Sequence, residues 1–438
     1  MKGLSLATAG AAMTAGGIDL RAQDAPQSAG KMEYRTSRTG DRVSLLGYGC
    51  MRMPTVDGTR NGAVDMDAQM RLIDYAIEHG VNYFDTAPVY TGGKSEGIMG
   101  QCLSRHPRDK YFIATKMSNA WGDFSFAASK KMYLNSFKEL KTDYIDYYLL
   151  HAVGASIESF NQRFLENGLL EFLLKEREAG RIRNLGWSFH GTKECFDYVV
   201  SLHEKYNWDF AQIQHNYLDW NHASGRNVNS SYLYGELAGR DIPMTVMEPL
   251  RGGALANVPE KVSKKLLERR PTDSIARWAF RFAGSQPKIL SVLSGMTYME
   301  HLQDNIATYS NFEPCSEQEL ELLERIAREM VEFPLIECTG CNYCMPCKYG
   351  VDIPGVFAHY NKCVKEDLMP LSSGDKEYRK LRRAFLVGYD RSVPALAQAS
   401  RCISCGECTS HCPQDIKIPA QMRRIDNFVE NLKQGREF

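Results

Sequence analysis

The chain has no excess of charge: Lys plus Arg and Asp plus Glu each number 53 among 438 residues, for a formal net charge of zero. Such a balance draws a protein toward neither nucleic acid nor an anionic membrane surface, so no nucleic-acid partner is expected. Short basic clusters exist, such as Arg379, Lys380, Arg382 and Arg383. Their helical spacing suits a solvated face or a docking patch for an acidic partner. Also missing is any run near the roughly 20 apolar residues that cross a bilayer, which argues against an integral membrane protein. What is present, 43% hydrophobic and 24% charged residues, is the mix of a globular protein of two or three domains.

A further absence lies at the start. Lys2, Gly3 and Leu4 precede a weakly apolar Ala/Gly/Thr run through Gly17 and a polar stretch to Gly30. Residues 1–30 look like the downstream part of a twin-arginine export signal without its arginine pair, or like a disordered tail, and both readings stand. The expected location is cytoplasmic, with twin-arginine export as the alternative should the true start lie upstream of Met1.

Cysteine, by contrast, is plentiful. Eight of 13 fall in two runs, Cys338, Cys341, Cys344 and Cys347, then Cys402, Cys405, Cys408 and Cys412 followed by Pro413. A thiolate every third residue wraps backbone around one face of an iron-sulfur cube, and the fourth cysteine reaches a neighbouring cube. Two 4Fe-4S clusters are expected. Zinc usually takes two ligand pairs a dozen or more residues apart, and disulfide frameworks belong to small secreted chains with poor cores. Cys50, Cys102, Cys195, Cys315 and Cys363 read as packing residues.

From Val43 onward, short apolar runs alternate with amphipathic helical stretches. Eight strands are predicted: 43–49, 81–86, 111–116, 145–150, 182–188, 210–214, 244–247 and 289–293. Helical patterns such as 67–79, 129–140, 192–206 and 273–282 lie between them, with Asp67, Thr192 and Asp273 at cap positions. Eight such pairs predict an α/β protein of the (β/α)8 TIM-barrel type, with catalytic groups just beyond the C-terminal strand ends. Polar residues stand there on three consecutive strands: Asp85 and Tyr90 after the second, Lys116 ending the third and His151 ending the fourth. An ammonium held by a carboxylate makes a phenol's proton easier to release, and an imidazole orients a substrate oxygen.

The segments Tyr83-Phe84-Asp85-Thr86-Ala87 leading to Tyr90, Ala114-Thr115-Lys116, and Asp146-Tyr147-Tyr148-Leu149-Leu150-His151 resemble the aldo-keto reductases over about residues 32–311. With the cysteine runs added, the chain resembles the branch of that family with a C-terminal ferredoxin-like domain carrying two 4Fe-4S clusters. The resemblance implies Tyr90 as general acid, Lys116 and Asp85 as its tuners, and His151 as carbonyl orienter. It also implies an NAD(P)H site: Ser188 and Gln212 at the nicotinamide, Leu250 and Gly252 in a loop cradling the pyrophosphate, and Asn305 at the adenine. Two departures weaken the grip on the nicotinamide: Phe189 stands where asparagine is common, and Met247 where many members stack a tyrosine. Residues 295–305 hold no Lys or Arg for a 2′-phosphate, so this segment does not support a preference for NADP. Trp121, after Lys116, either lines the pocket or packs against helices.

The expected layout is therefore a barrel at 31–312, a linking helix at 313–336 and an α-helical ferredoxin-like dicluster domain at 337–438. Crossed ligation puts Cys338, Cys341, Cys344 and Cys412 on one cluster, and Cys402, Cys405, Cys408 and Cys347 on the other. Val351-Asp352-Ile353-Pro354 and Ile416-Lys417-Ile418-Pro419 follow the runs as an internal echo. The function expected is NAD(P)H-dependent carbonyl reduction, or the reverse alcohol oxidation, on a small molecule. The alternative is an iron-sulfur electron-transfer module whose barrel docks a ligand or a redox partner of ferredoxin or flavodoxin type. A hydride carries two electrons and a cluster passes one, so direct exchange between the two is not expected.

Overall fold

A computed structural model describes residues 31–435 apart from 60, 61, 371, 373, 375 and the side chain of Trp121. The leader-like segment 1–30 lies outside the described residues. From Lys31 the chain forms one compact unit. Eight parallel strands close a barrel: β1 (Leu46–Gly49), β2 (Tyr83–Asp85), β3 (Phe112–Met117), β4 (Ile145–Val153), β5 (Ile182–Phe189), β6 (Phe210–Gln214), β7 (Met244–Met247) and β8 (Ile289–Ser294). Each pairs with its sequence neighbour, and Val292 of β8 pairs with Leu46 of β1 to seal the ring. The strands read as nearly unbroken apolar runs because helices cover one face and side chains fill the other.

One expectation shifts at the start. Val43 and Ser44 belong to an antiparallel hairpin, Tyr34–Thr36 with Arg42–Ser44, and not to the first barrel strand. The hairpin floors the N-terminal end, where Tyr147 donates to Asp41 at 2.9 Å and Thr39 to Asn184 at 2.8 Å. Above it Tyr147 meets Tyr83 and Phe210 edge-on, with centroids 5.0 and 5.1 Å apart.

Two caps also move. Thr192 caps Lys193–Ser201 as expected, but Met66–Glu78 is capped by Asp65, which accepts from the Ala68 N–H, and Ile275–Ser285 by Ser274. A cap oxygen must reach the third helical N–H, and that reach selects Asp65 and Ser274 over Asp67 and Asp273.

Behind the barrel, Ser316 and Glu319 form a reciprocal capping box that opens helix Glu317–Val331. Its Leu323, Ile326 and Met330 share an apolar cluster with Leu266 and Trp278 of the barrel's outer layer. Beyond it, helices Ile353–Lys365, Tyr378–Ser392 and Ile418–Gln434 pack Phe357, Phe385, Met422 and Val429 into a separate core. None of the helices among the described residues is long and apolar enough to cross a membrane.

Candidate functional site

Asp85 closes β2 and Lys116 lies near the end of β3, so parallel pairing brings both to one mouth of the barrel. Lys116 Nζ donates to Asp85 Oδ1 at 2.5 Å and to the Thr86 carbonyl at 2.8 Å, with both side chains buried. Burial raises the carboxyl and lowers the ammonium, and each shift is opposed by the partner's charge. Tyr90 stands in the turn after β2, with Lys116 Nζ 4.8 Å from its ring centroid. Burial, followed by Tyr343, Asp85, Cys50 and Glu248, raises its phenol well above the ordinary value. That direction is opposite to the one expected from a nearby ammonium.

His151 reaches the same mouth through a kink in the backbone. Ala152, which follows it, has a φ of 50°, and the register between β4 and β5 slips between Leu150 and Val153. Such a bulge re-aims a strand-end side chain. The strain is held by Arg163, which donates to the carbonyls of His151 at 2.6 Å and Ala152 at 3.2 Å, and by the Ala152 N–H, which donates to Ser188 Oγ at 3.0 Å. The His151 ring packs edge-on to Tyr90 at 5.8 Å, with Nδ1 2.6 Å from Ser118 Oγ. Burial and then the cations Lys116 and Arg163 hold its pKa well below the imidazole range, so the ring is neutral.

The residues expected to hold a dinucleotide surround this mouth, but several are already engaged. Ser188 accepts from Ala152, Gln212 donates to Asp85 at 3.3 Å, and Asn305 donates to Ser294 at 3.0 Å. Leu250 leads into a loop where Arg251, Gly252 and Gly253 all have positive φ. Backbone of this shape turns amides toward an anion. Here, however, the loop is covered by the first cysteine run. A β-carbon on Gly252 would lie 2.0 Å from the Thr339 carbonyl oxygen. Arg52 donates to Thr339 O at 2.6 Å and to Gly252 O at 3.4 Å, and Lys365 donates to the carbonyls of Asn257 and Ala254 at 2.6 and 3.3 Å. The loop therefore fits a pyrophosphate only with residues 339–343 displaced.

Tyr343 completes the cover, its hydroxyl hydrogen-bonded to that of Tyr90. Glu248, at the end of β7, lies close to Tyr90, Tyr343 and Cys341. Sequence reasoning missed Tyr343, Glu248 and Arg52. For Tyr343 there was a signal, because the matching place in the second run holds Glu407 and a tyrosine between two ligand cysteines is not required by the motif.

The eight cysteines separate into two sets of four, the sets expected from crossed ligation. Cys338, Cys341, Cys344 and Cys412 line a pocket walled by Ile353, Phe357, Ile416 and Ile418. Cys347, Cys402, Cys405 and Cys408 line another, which also meets Ile353 and Ile418. Burial raises the Cys341 and Cys412 thiols, and the N–H of Tyr343 at Cys341 and those of Gln414 and Ile416 at Cys412 partly oppose it. Four thiols around an apolar space with amides aimed at sulfur fit a cube.

The Aldo/keto reductase family pattern matches residues 45–328, and a 4Fe-4S dicluster domain matches 337–416. Among curated relatives, the uncharacterized oxidoreductase YqkF of Bacillus subtilis (strain 168) is 28% identical over 67% of this chain and 96% of its own length. L-galactose dehydrogenase of Arabidopsis thaliana is 26% identical over 65% and 90%. Among solved structures, the holo form of aldo-keto reductase AKR11C1 from Bacillus halodurans has a TM-score of 0.54 at 23% identity, covering 67% of this chain and 96% of that one. An aldo-keto reductase from Klebsiella pneumoniae in complex with NADPH has 0.53 at 21%, covering 68% and 96%. This chain belongs to the aldo/keto reductase family and carries a 4Fe-4S dicluster domain after its barrel.

Proposed function

We propose that the protein interconverts a small carbonyl compound and its alcohol at the barrel mouth, with NAD(P)H as hydride donor. The observation that carries this reading is the buried Lys116–Asp85 pair beneath the Tyr90 ring, with a neutral His151 edge-on to it. A nicotinamide held here would supply the hydride for the carbonyl carbon, and Tyr90 gives its proton to the substrate oxygen. His151, uncharged and held by Ser118, donates a hydrogen bond that fixes that oxygen. Asp85 keeps Lys116 facing the ring, where the ammonium stabilises the phenolate left behind. Ser188, Gln212, Leu250, Gly252 and Asn305 hold the dinucleotide once the cluster segment has moved. The two cysteine sets each hold a 4Fe-4S cluster, and the outer one, with Cys405 exposed, is the side open to a one-electron carrier of ferredoxin or flavodoxin type.

Anaerobic protein with intact clusters, assayed with NADPH and NADH against a panel of aldehydes and ketones, tests this. Turnover supports it. Absence of nicotinamide binding together with reduction of the clusters by ferredoxin or flavodoxin leaves the electron-transfer alternative.

A further inference from the structure

A phenol hydrogen-bonded to another residue of its own chain is not free to protonate a substrate. The Tyr343 hydroxyl is hydrogen-bonded to that of Tyr90, the group that must give its proton to a substrate oxygen. A hydride donor must stand beside that same oxygen, inside the same mouth. The mouth's other wall, the Gly252 loop, is in van der Waals contact with the Thr339 peptide, and Arg52 clamps the two together. Tyr343 lies between Cys341 and Cys344, both lining the inner cysteine cavity, so its position is set by the fold around that cavity.

We propose that residues 339–343 are a built-in occupant of the reductase site, with Thr339 filling the dinucleotide loop and Tyr343 taking the substrate oxygen's place at Tyr90. Docked segment and bound dinucleotide exclude each other, so cofactor affinity depends on how often the segment opens. This rests on the nicotinamide reading above. When the binding-competent form is the minor one, apparent affinity falls by its population, and weakening the closed form raises affinity by the same factor. The inner cluster would thus lock the segment that governs entry to the hydride site, and the two redox currencies would be used in turn.

The test uses full-length protein under anaerobic conditions, with clusters verified by iron content and electron paramagnetic resonance. NADPH and NADH are titrated by fluorescence into wild type, Tyr343→Phe and Arg52→Ala, and hydrogen exchange of the peptide spanning 337–345 is followed. Loss of one neutral hydrogen bond predicts about fivefold tighter binding in Tyr343→Phe, and loss of a charged one about tenfold or more in Arg52→Ala. In wild type, saturating dinucleotide should strip exchange protection from the peptide. Equal affinity in all three proteins with protection unchanged overturns the exclusion and leaves the hydride reading intact. Binding to none of the three overturns both.

Discussion

The two cysteine runs share left-handed turns at matching places and face opposite environments. In the first, Gly340 and Asn342 have φ of 64° and 67°, and in the second Ser404 and Gly406 have 62° and 84° at the matching places. Gly350 and Asp415 then turn the chain alike, and helices begin at Ile353 and Ile418 with proline in the first turn. The side chains between the ligands differ. Thr339 is 4% exposed against Gly252, whereas its counterpart Ile403 is 60% exposed. Tyr343 meets Tyr90, whereas its counterpart Glu407 reaches only Lys348, at 2.7 Å near the surface. The two runs repeat the same turns, and the residues between their cysteines decide which half meets the barrel mouth and which meets solvent.

The largest effect should come from the group the inward half covers. Tyr90→Phe removes the proposed proton donor and should lower carbonyl turnover by about 10²–10⁴-fold with iron content unchanged. Glu407→Gln on the outward half should leave turnover within about twofold, because an exposed ion pair contributes little. Comparable losses in both would erase the distinction between the halves.

Acid should act on the junction that supports the inward half. Glu319 accepts from Arg281 at 3.0 Å and from Arg270 at 2.5 Å, and although burial opposes them these bonds bring its carboxyl down to about 2. A folded-state pKa below the unfolded one gives stability that is fully present above about pH 4.3 and lost as pH falls toward 2. Glu319→Gln should therefore cost about 3 kcal/mol near neutrality, and thermal melts should show the gap to wild type closing as pH drops through that window. A gap independent of pH would mean the carboxylate's charge is not what holds the helix.

Exposure to air sharpens the same contrast. Cys405 is exposed whereas Cys412 is buried. Oxidation follows access, so the outer cluster should be lost roughly tenfold faster than the inner, seen as biphasic loss of iron and of visible absorbance. A single phase releasing all the iron would show that the barrel does not shelter the inner half.

Much of the architecture was legible because it rests on local rules. Five of the eight barrel strands begin at the residue expected, and Asp85, Tyr90, Lys116 and His151 meet because successive parallel strands end at one mouth. The cysteines grouped by crossed ligation line one space each, although the first run closes after two residues where the second takes three. What stayed hidden depends on contacts distant in sequence. Arg52 and Thr339 are 287 positions apart, and no periodicity announces their meeting. The raised phenol of Tyr90 was missed for the same reason, since Tyr343, the first charge effect after burial, comes from the other end of the chain. The hairpin was read as barrel strand because only Ser44 separates Val43 from the apolar run at Leu45, and no turn residue marks the boundary.

The smallest expected effect compares two lysines, one from each face of the dicluster domain. Lys365 ends the helix that follows the first run, and its ammonium, lowered by burial, donates to the carbonyls of Asn257 and Ala254 in the stretch following the Gly252 loop. Lys348 lies beside the last ligand of that run but points outward to Glu407, with 68% of its side chain exposed. Removing a charged donor from two partly covered carbonyls costs about 1.5–3 kcal/mol, and removing an exposed ion pair costs 1 kcal/mol or less by the same kind of measurement, about tenfold or more against a few-fold at most. Lys365→Met should therefore speed hydrogen exchange across 249–257 by about tenfold or more, while Lys348→Met leaves that stretch unchanged. Equal exchange in the two variants would mean that this lysine does not help hold the dicluster domain against the barrel, leaving Arg52 and the linking helix to do so.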